Sequence, residues 1–102
     1  MSAKAKISDL PDFDMAHYLN TQADVIEYLS QVLDDGDPVE LGAALGDIAR
    51  ARGMSQLARD TGLSREGLYK SLSGGRAPSS DTLFKVVKAL GLKLTLQPLP
   101  HA

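Results

Sequence analysis

The chain has 102 residues, no cysteine and a formal net charge of −2. That length suits one domain with a modest core, and the lack of thiols excludes disulfides, thiolate metal sites and cysteine catalysis. No apolar run reaches the roughly 18 residues of a membrane span, and no apolar signal core follows Met1-Ser2-Ala3-Lys4, so the sequence reads as cytoplasmic.

Residues 1–20 show no sustained period, contain Pro11 and several acids, and read as a partly ordered arm with a short helical turn around Met15 to Leu19. Thr21 with Asp24 three residues on has the form of a helix start. Val25, Ile26, Leu29, Val32 and Leu33 then recur at helical spacing up to Asp35-Gly36. Asp37, Pro38 and Glu40 mark the next start, and Leu41, Ala44, Leu45, Ile48 and Ala49 supply its apolar stripe before Gly53. Ser55 is the expected cap of a short third helix carrying Leu57 and Ala58, which Gly62 breaks. Ser64 caps a fourth, with Leu68 and Leu72 one turn apart. After a loop at Gly74-Gly75-Arg76-Ala77-Pro78, Ser79 or Ser80 caps a fifth helix with Leu83, Val86, Val87 and Leu90 inward, closed by Gly91. Residues 92–97 alternate apolar and polar, which predicts a strand with Leu92, Leu94 and Leu96 on one face. A lone strand needs a partner: its copy in a second subunit, which would make a homodimer, the N-terminal arm near Ile7 within the same chain, or another protein.

The charges segregate along the chain. Residues 1–49 hold Lys4 and Lys6 against ten acids, whereas residues 50–76 hold six cations against Asp60 and Glu66. Such a division suits a basic face that meets phosphate and an acidic end that faces elsewhere or meets a basic partner; ordinary solvated surface fits it as well. Within the basic stretch, Met54 to Ser73 reads as a short helix, a glycine turn at Gly62-Leu63 and a second short helix. That geometry pushes a helix into a DNA major groove. Ala58 permits a close crossing, Gly62 a positive φ, and Leu57, Leu63 and Leu68 an apolar plug at the corner.

The run Gly53-Met54-Ser55-Gln56-Leu57-Ala58-Arg59-Asp60-Thr61-Gly62-Leu63-Ser64-Arg65-Glu66-Gly67-Leu68-Tyr69-Lys70-Ser71-Leu72 resembles the helix-turn-helix of phage-repressor and Cro-like proteins. With Pro78-Ser79-Ser80-Asp81-Thr82-Leu83, Ala89-Leu90-Gly91-Leu92 and, upstream, Phe13-Asp14, Tyr18-Leu19, Tyr28-Leu29 and Asp35-Gly36-Asp37, the chain is similar to HigA-like antidote proteins of bacterial addiction modules. One departure is Leu72, since the repressor spacing expects the apolar residue at Ser71, leaving the roll of that helix open. The resemblance implies an all-α fold: a five-helix, lambda-repressor-like domain over residues 21–91 with its helix-turn-helix at 54–73. The arm 1–20 extends it at the N-terminus, and one short C-terminal strand lies within 92–102. It further implies a dimeric antitoxin that binds the operator DNA of its own operon and neutralises a small basic toxin, commonly a messenger-RNA nuclease of the RelE/HigB type.

On this resemblance Arg65, Glu66, Tyr69 and Lys70 lie on the first turns of the recognition helix, with Ser64 as its cap. Arginine pairs bidentately with guanine, and Lys70 suits a phosphate. Gly67 lets the helix approach DNA closely or simply weakens it. Ser55 and Gln56, at the start of the preceding helix, suit a phosphate, although capping alone would explain the serine. Arg76 is either a backbone contact or a plain loop cation. Phe13, Tyr18 and Tyr28, in the acidic part, are the candidate toxin contacts, and Leu92, Leu94 and Leu96 the dimer contacts.

An enzyme reading finds little to work with. Ser73-Gly74-Gly75-Arg76 follows a helix and lacks the lysine and hydroxyl of a nucleotide loop. Asp34-Asp35-Gly36-Asp37 lacks the alternating ligands and distal glutamate of a calcium loop, and His17 and His101 sit in the arm and the terminal tail, where spacing suggests no triad or metal cluster. The expectation is no catalytic residue, no metal and no cofactor. Two alternatives stay open beside the antitoxin: an interaction module whose helix-turn-helix has lost DNA binding, and a repressor without a toxin partner.

Overall fold

Side-chain caps fix where four of the five helices begin. In a computed structural model, which describes residues 18–100, these are α1 (Gln22–Asp35), α2 (Pro38–Arg52), α3 (Met54–Thr61), α4 (Arg65–Ser71) and α5 (Ser80–Ala89). The arm through His17, including Phe13 and most of the Met15 to Leu19 turn, lies outside the described residues, as does His101. Thr21 and Asp24 form a reciprocal capping box on α1, both bonds at 3.1 Å. Asp37 accepts the Val39 N–H at 2.9 Å beside Pro38 at the first position of α2. Ser64 caps α4 and Ser79 caps α5.

The third start differs from the sequence expectation. Ser55 is not a cap: α3 begins one residue earlier, at Met54, and its N-cap is Gly53, which offers no side-chain bond. Burial explains this. Met54 is buried against the core, and helical geometry from Met54 onward is what turns it inward. Gly53, at φ 106°, closes α2 through its N–H to the Ala49 carbonyl and opens α3 through its carbonyl to the Leu57 N–H.

The core centres on Leu45 and Ile48 of α2, Leu57 of α3, Leu68 of α4, and Val86 and Leu90 of the α5 segment. Helix α1 covers one side of it with Val25, Leu29 and Val32. Ile26 and Leu33, which share its helical spacing, are each 47% exposed, because α1 packs on α2 along a stripe too narrow to take both edges. The interior of α2 carries two glycines that periodicity did not single out. A Cβ on Gly46 would collide with the Leu72 carbonyl oxygen, and one on Gly42 would lie 3.0 Å from Pro78 Cδ and 3.2 Å from the Arg76 carbonyl. Each glycine costs the helix about 1 kcal/mol against alanine. In return the end of α4 and the following loop rest directly on the α2 backbone.

The C-terminal strand is a correction. The described residues contain five helices and no strand. After α5 the Gly91 N–H bonds to the Lys88 carbonyl and the Leu92 N–H to the Val87 carbonyl, a Schellman closure with Gly91 at φ 79°. The first amide of the expected strand is thus spent on ending a helix, and Leu92 packs half-buried on the core. Leu94 is 42% and Leu96 fully exposed, so beyond Leu92 the alternating pattern pairs with and covers nothing among the described residues.

Candidate nucleic-acid interface

Helices α3 and α4 are short, and the turn between them is fixed by local chemistry. Gly62 takes φ 77° and gives its N–H to the Ala58 carbonyl, closing α3 in the left-handed conformation that glycine adopts at little cost. Thr61 Oγ1 donates to the Leu57 carbonyl at 2.8 Å and accepts the Leu63 N–H at 3.2 Å, which locks the chain's exit direction. Ser64 Oγ then accepts the Gly67 N–H at 2.9 Å and starts α4. Leu57 and Leu68 are fully buried, with Ala58 and Leu63 half-buried against the core, so the corner is plugged by apolar side chains.

With Leu68 inward, Arg65, Glu66, Tyr69 and Lys70 are all placed on the solvent side of α4. Arg65 lies 5.9 Å from the Tyr69 ring centroid, close enough for a cation–π contact that stiffens both long side chains. Arg65, Lys70 and Arg76 form no ion pair among the described residues, so their charge is available to an anion. On α3, Ser55 is exposed, and Gln56 bridges Arg59 at 2.6 Å and Asp60 at 2.8 Å. Gly67 has a local reason to be glycine, since a Cβ there would lie 2.9 Å from the Ser64 Oγ that caps the helix. The spacing anomaly at Leu72 also resolves: α4 ends at Ser71, and Leu72 as the following residue turns inward to 5% exposure over Gly46.

The other singled-out residues are dispersed. Tyr18 is 61% exposed, while Tyr28 is half-buried and donates its hydroxyl to Asp47 Oδ2 at 2.7 Å, tying α1 to α2. Asp47, almost wholly buried, also pairs with Arg50 at 2.6 Å. Arg50 borders a cavity of 140 Å³ together with Gly46, Met54, Tyr69, Leu72 and Ser73. Sequence reasoning counted Arg50 only as charge. Its position three residues after an acid in the last turn of α2 was the available signal. Among the described residues no three His, Asp or Glu side chains gather as for a metal ion, and no helix is long and apolar enough to cross a membrane.

A family model described as "Probable addiction module antidote protein" matches residues 9–98, a span that takes in all five helices. The chain belongs to that family. A relative from Haemophilus influenzae (strain ATCC 51907 / DSM 11121 / KW20 / Rd) is 50% identical over 88 residues, which cover 86% of this chain and 91% of the relative, and is described as an uncharacterized protein. No solved structure matches. Membership of the antidote family implies a toxin as partner.

Proposed function

We propose that the chain is the antitoxin of a type II toxin–antitoxin module, acting by binding rather than catalysis and without a cofactor. As a homodimer it binds the operator DNA of its own operon through a lambda-repressor or Cro-like helix-turn-helix formed by α3 and α4. By direct contact it neutralises a small basic toxin of the RelE/HigB type. The observation that carries this reading is the α3–turn–α4 corner, seated on α2 in a chain of the antidote family, with Arg65 and Lys70, which form no ion pair among the described residues, on its outer face. A dimer follows from the two-fold symmetry of operators read this way. The toxin contact is supported on α1, whose solvent side sets Ile26 and Leu33 beside Glu27 and Asp34 and carries no lysine or arginine. An apolar ridge flanked by acids suits a basic protein and leaves α4 free.

Gel retardation of the DNA upstream of the gene tests the first half. Arg65→Ala is expected to cost about 1–3 kcal/mol and to relax one base preference, and Lys70→Ala to weaken all sequences alike and lower the salt slope by about one. Equal binding by both variants and a Glu27→Ala control would overturn the assignment of α4. Co-expression with the toxin encoded beside it tests the second half. Ile26→Arg combined with Glu27→Lys should abolish protection while operator binding is kept, and full protection by that variant would remove α1 from the toxin contact.

A further inference from the structure

One face of α5 stays in solvent. Thr82, Val86 and Val87 turn the helix inward, and Leu90 just beyond it is buried with them. Asp81, Phe84, Lys85 and Lys88 are all exposed, at the i, i+3, i+4 and i+7 spacing that lines one side of a helix. Phe84 is 60% exposed and stands fifth among the ten residues of α5, so an aromatic ring occupies the middle of that side. Neither the recognition helix α4 nor the ridge on α1 includes it. Lys85 Nζ pairs with Asp81 Oδ2 at 3.1 Å, whereas Lys88 forms no ion pair among the described residues.

We infer that α5 packs antiparallel on α5 of a second copy of this chain, across a two-fold axis beside Phe84. The inference rests on the homodimer reading above and adds where the subunits meet. A two-fold contact must complement itself, and this stripe does: it is acidic at Asp81, basic at Lys88 and apolar between them. Reversing one helix over the other sets Asp81 opposite Lys88 of the second copy at both ends. The two Phe84 rings then meet near the axis, where aromatic pairs gain from offset stacking. Lys85 escapes its own copy, because its bond to Asp81 leans each ammonium toward the N-terminus of its own helix, and those ends point opposite ways. The same residues disfavour other occupants. A basic toxin would meet Lys85 and Lys88, and a DNA phosphate would meet Asp81 and an aromatic ring. Ten residues make α5 about 15 Å long, so the contact lies at the small end of specific interfaces. The pair is therefore weak in free solution and strengthened when two protomers occupy adjoining half-sites of one DNA.

The test is sedimentation equilibrium of the full chain from micromolar to millimolar concentration, beside gel retardation of the operator and of a single half-site. Phe84→Asp is expected to raise the dimer dissociation constant by about thirtyfold. It should keep half-site binding, lose cooperativity on the full operator and melt like the wild-type monomer. Asp81→Lys and Lys88→Asp should each weaken the dimer, and the double swap should restore most of it. The double swap also places both charges at the unfavourable ends of α5. It should therefore be less heat-stable than either single variant yet more dimeric, an order that loss of fold stability alone cannot produce. Because the chain has no cysteine, Phe84→Cys supplies a lone thiol. Under mild oxidation it should cross-link faster than Ile26→Cys, which is exposed on α1. A Phe84→Asp protein as dimeric as the wild type, or single swaps that the double does not rescue, overturns the α5 contact while the homodimer reading stands. A wild type that stays monomeric at every concentration and on the full operator overturns both.

Discussion

Gly46→Ala is the sharpest available perturbation of how α4 is seated. The added methyl would point at the Leu72 carbonyl, far inside contact distance, and neither side can move away cheaply. Leu72 is 5% exposed and its N–H is held by the Leu68 carbonyl at 2.9 Å, while Gly46 lies between the buried Leu45 and Asp47 on α2. Relief therefore requires α2 and the end of α4 to part, which loosens Leu72 and Leu68 together. Overpacking of this kind costs up to about 3 kcal/mol, with loosened leucine packing added to it. Alanine returns about 1 kcal/mol of helix propensity. The expected net loss is about 2 kcal/mol, read as a fall in melting temperature of about 8–16 °C for a domain of this size. Urea unfolding should show a lower midpoint at unchanged slope. A variant as stable as the wild type, or more so, would refute the close approach and the reasoning built on it.

Ser64→Ala should cost about 1 kcal/mol through the lost cap. Gly67→Ala alone should be close to neutral, because its propensity gain is offset by displacement of Ser64 Oγ, yet clearly stabilising in the Ser64→Ala background; thermal unfolding of all four proteins would show the non-additivity. Tyr28→Phe should destabilise by about 1–2 kcal/mol in urea, since Asp47 loses one of two short bonds. Asp47→Ala should cost more, as it releases both Tyr28 and Arg50. Leu96→Ser should leave the unfolding free energy within about 0.5 kcal/mol of the wild type, read by urea unfolding, since a fully exposed side chain contributes nothing to this core.

Helix starts and stops were legible wherever one residue's own chemistry decides them. Thr21 with Asp24, Asp37 with Pro38, and Gly36, Gly62 and Gly91 all act within a single turn of backbone. Ser55 misled because the start of α3 is decided by the burial of Met54, a tertiary matter. The tail misled for a related reason, since alternation reports a strand only if something lies alongside, and Leu92 instead ends α5. In the candidate site, the outward face of α4 could be read from Leu68 and the glycine turn. Gly42 and Gly46 lowered the apparent helicity of α2 without revealing that another backbone crosses them. Arg50 joins Tyr69 and Ser73 only through that crossing.

The bare backbone of α2 at Gly42 and Gly46 has a consequence for how this surface can change over time. The depth of α4 is set from beneath by a surface that has no side chains of its own to vary. The exposed positions 65, 66 and 70 lie on the solvent side of α4, and none of them lines the contact with Gly46. Substitutions among them can therefore accumulate without re-seating the helix. The reverse does not hold: a single methyl on the α2 side would shift α4 and every outward side chain on it at once.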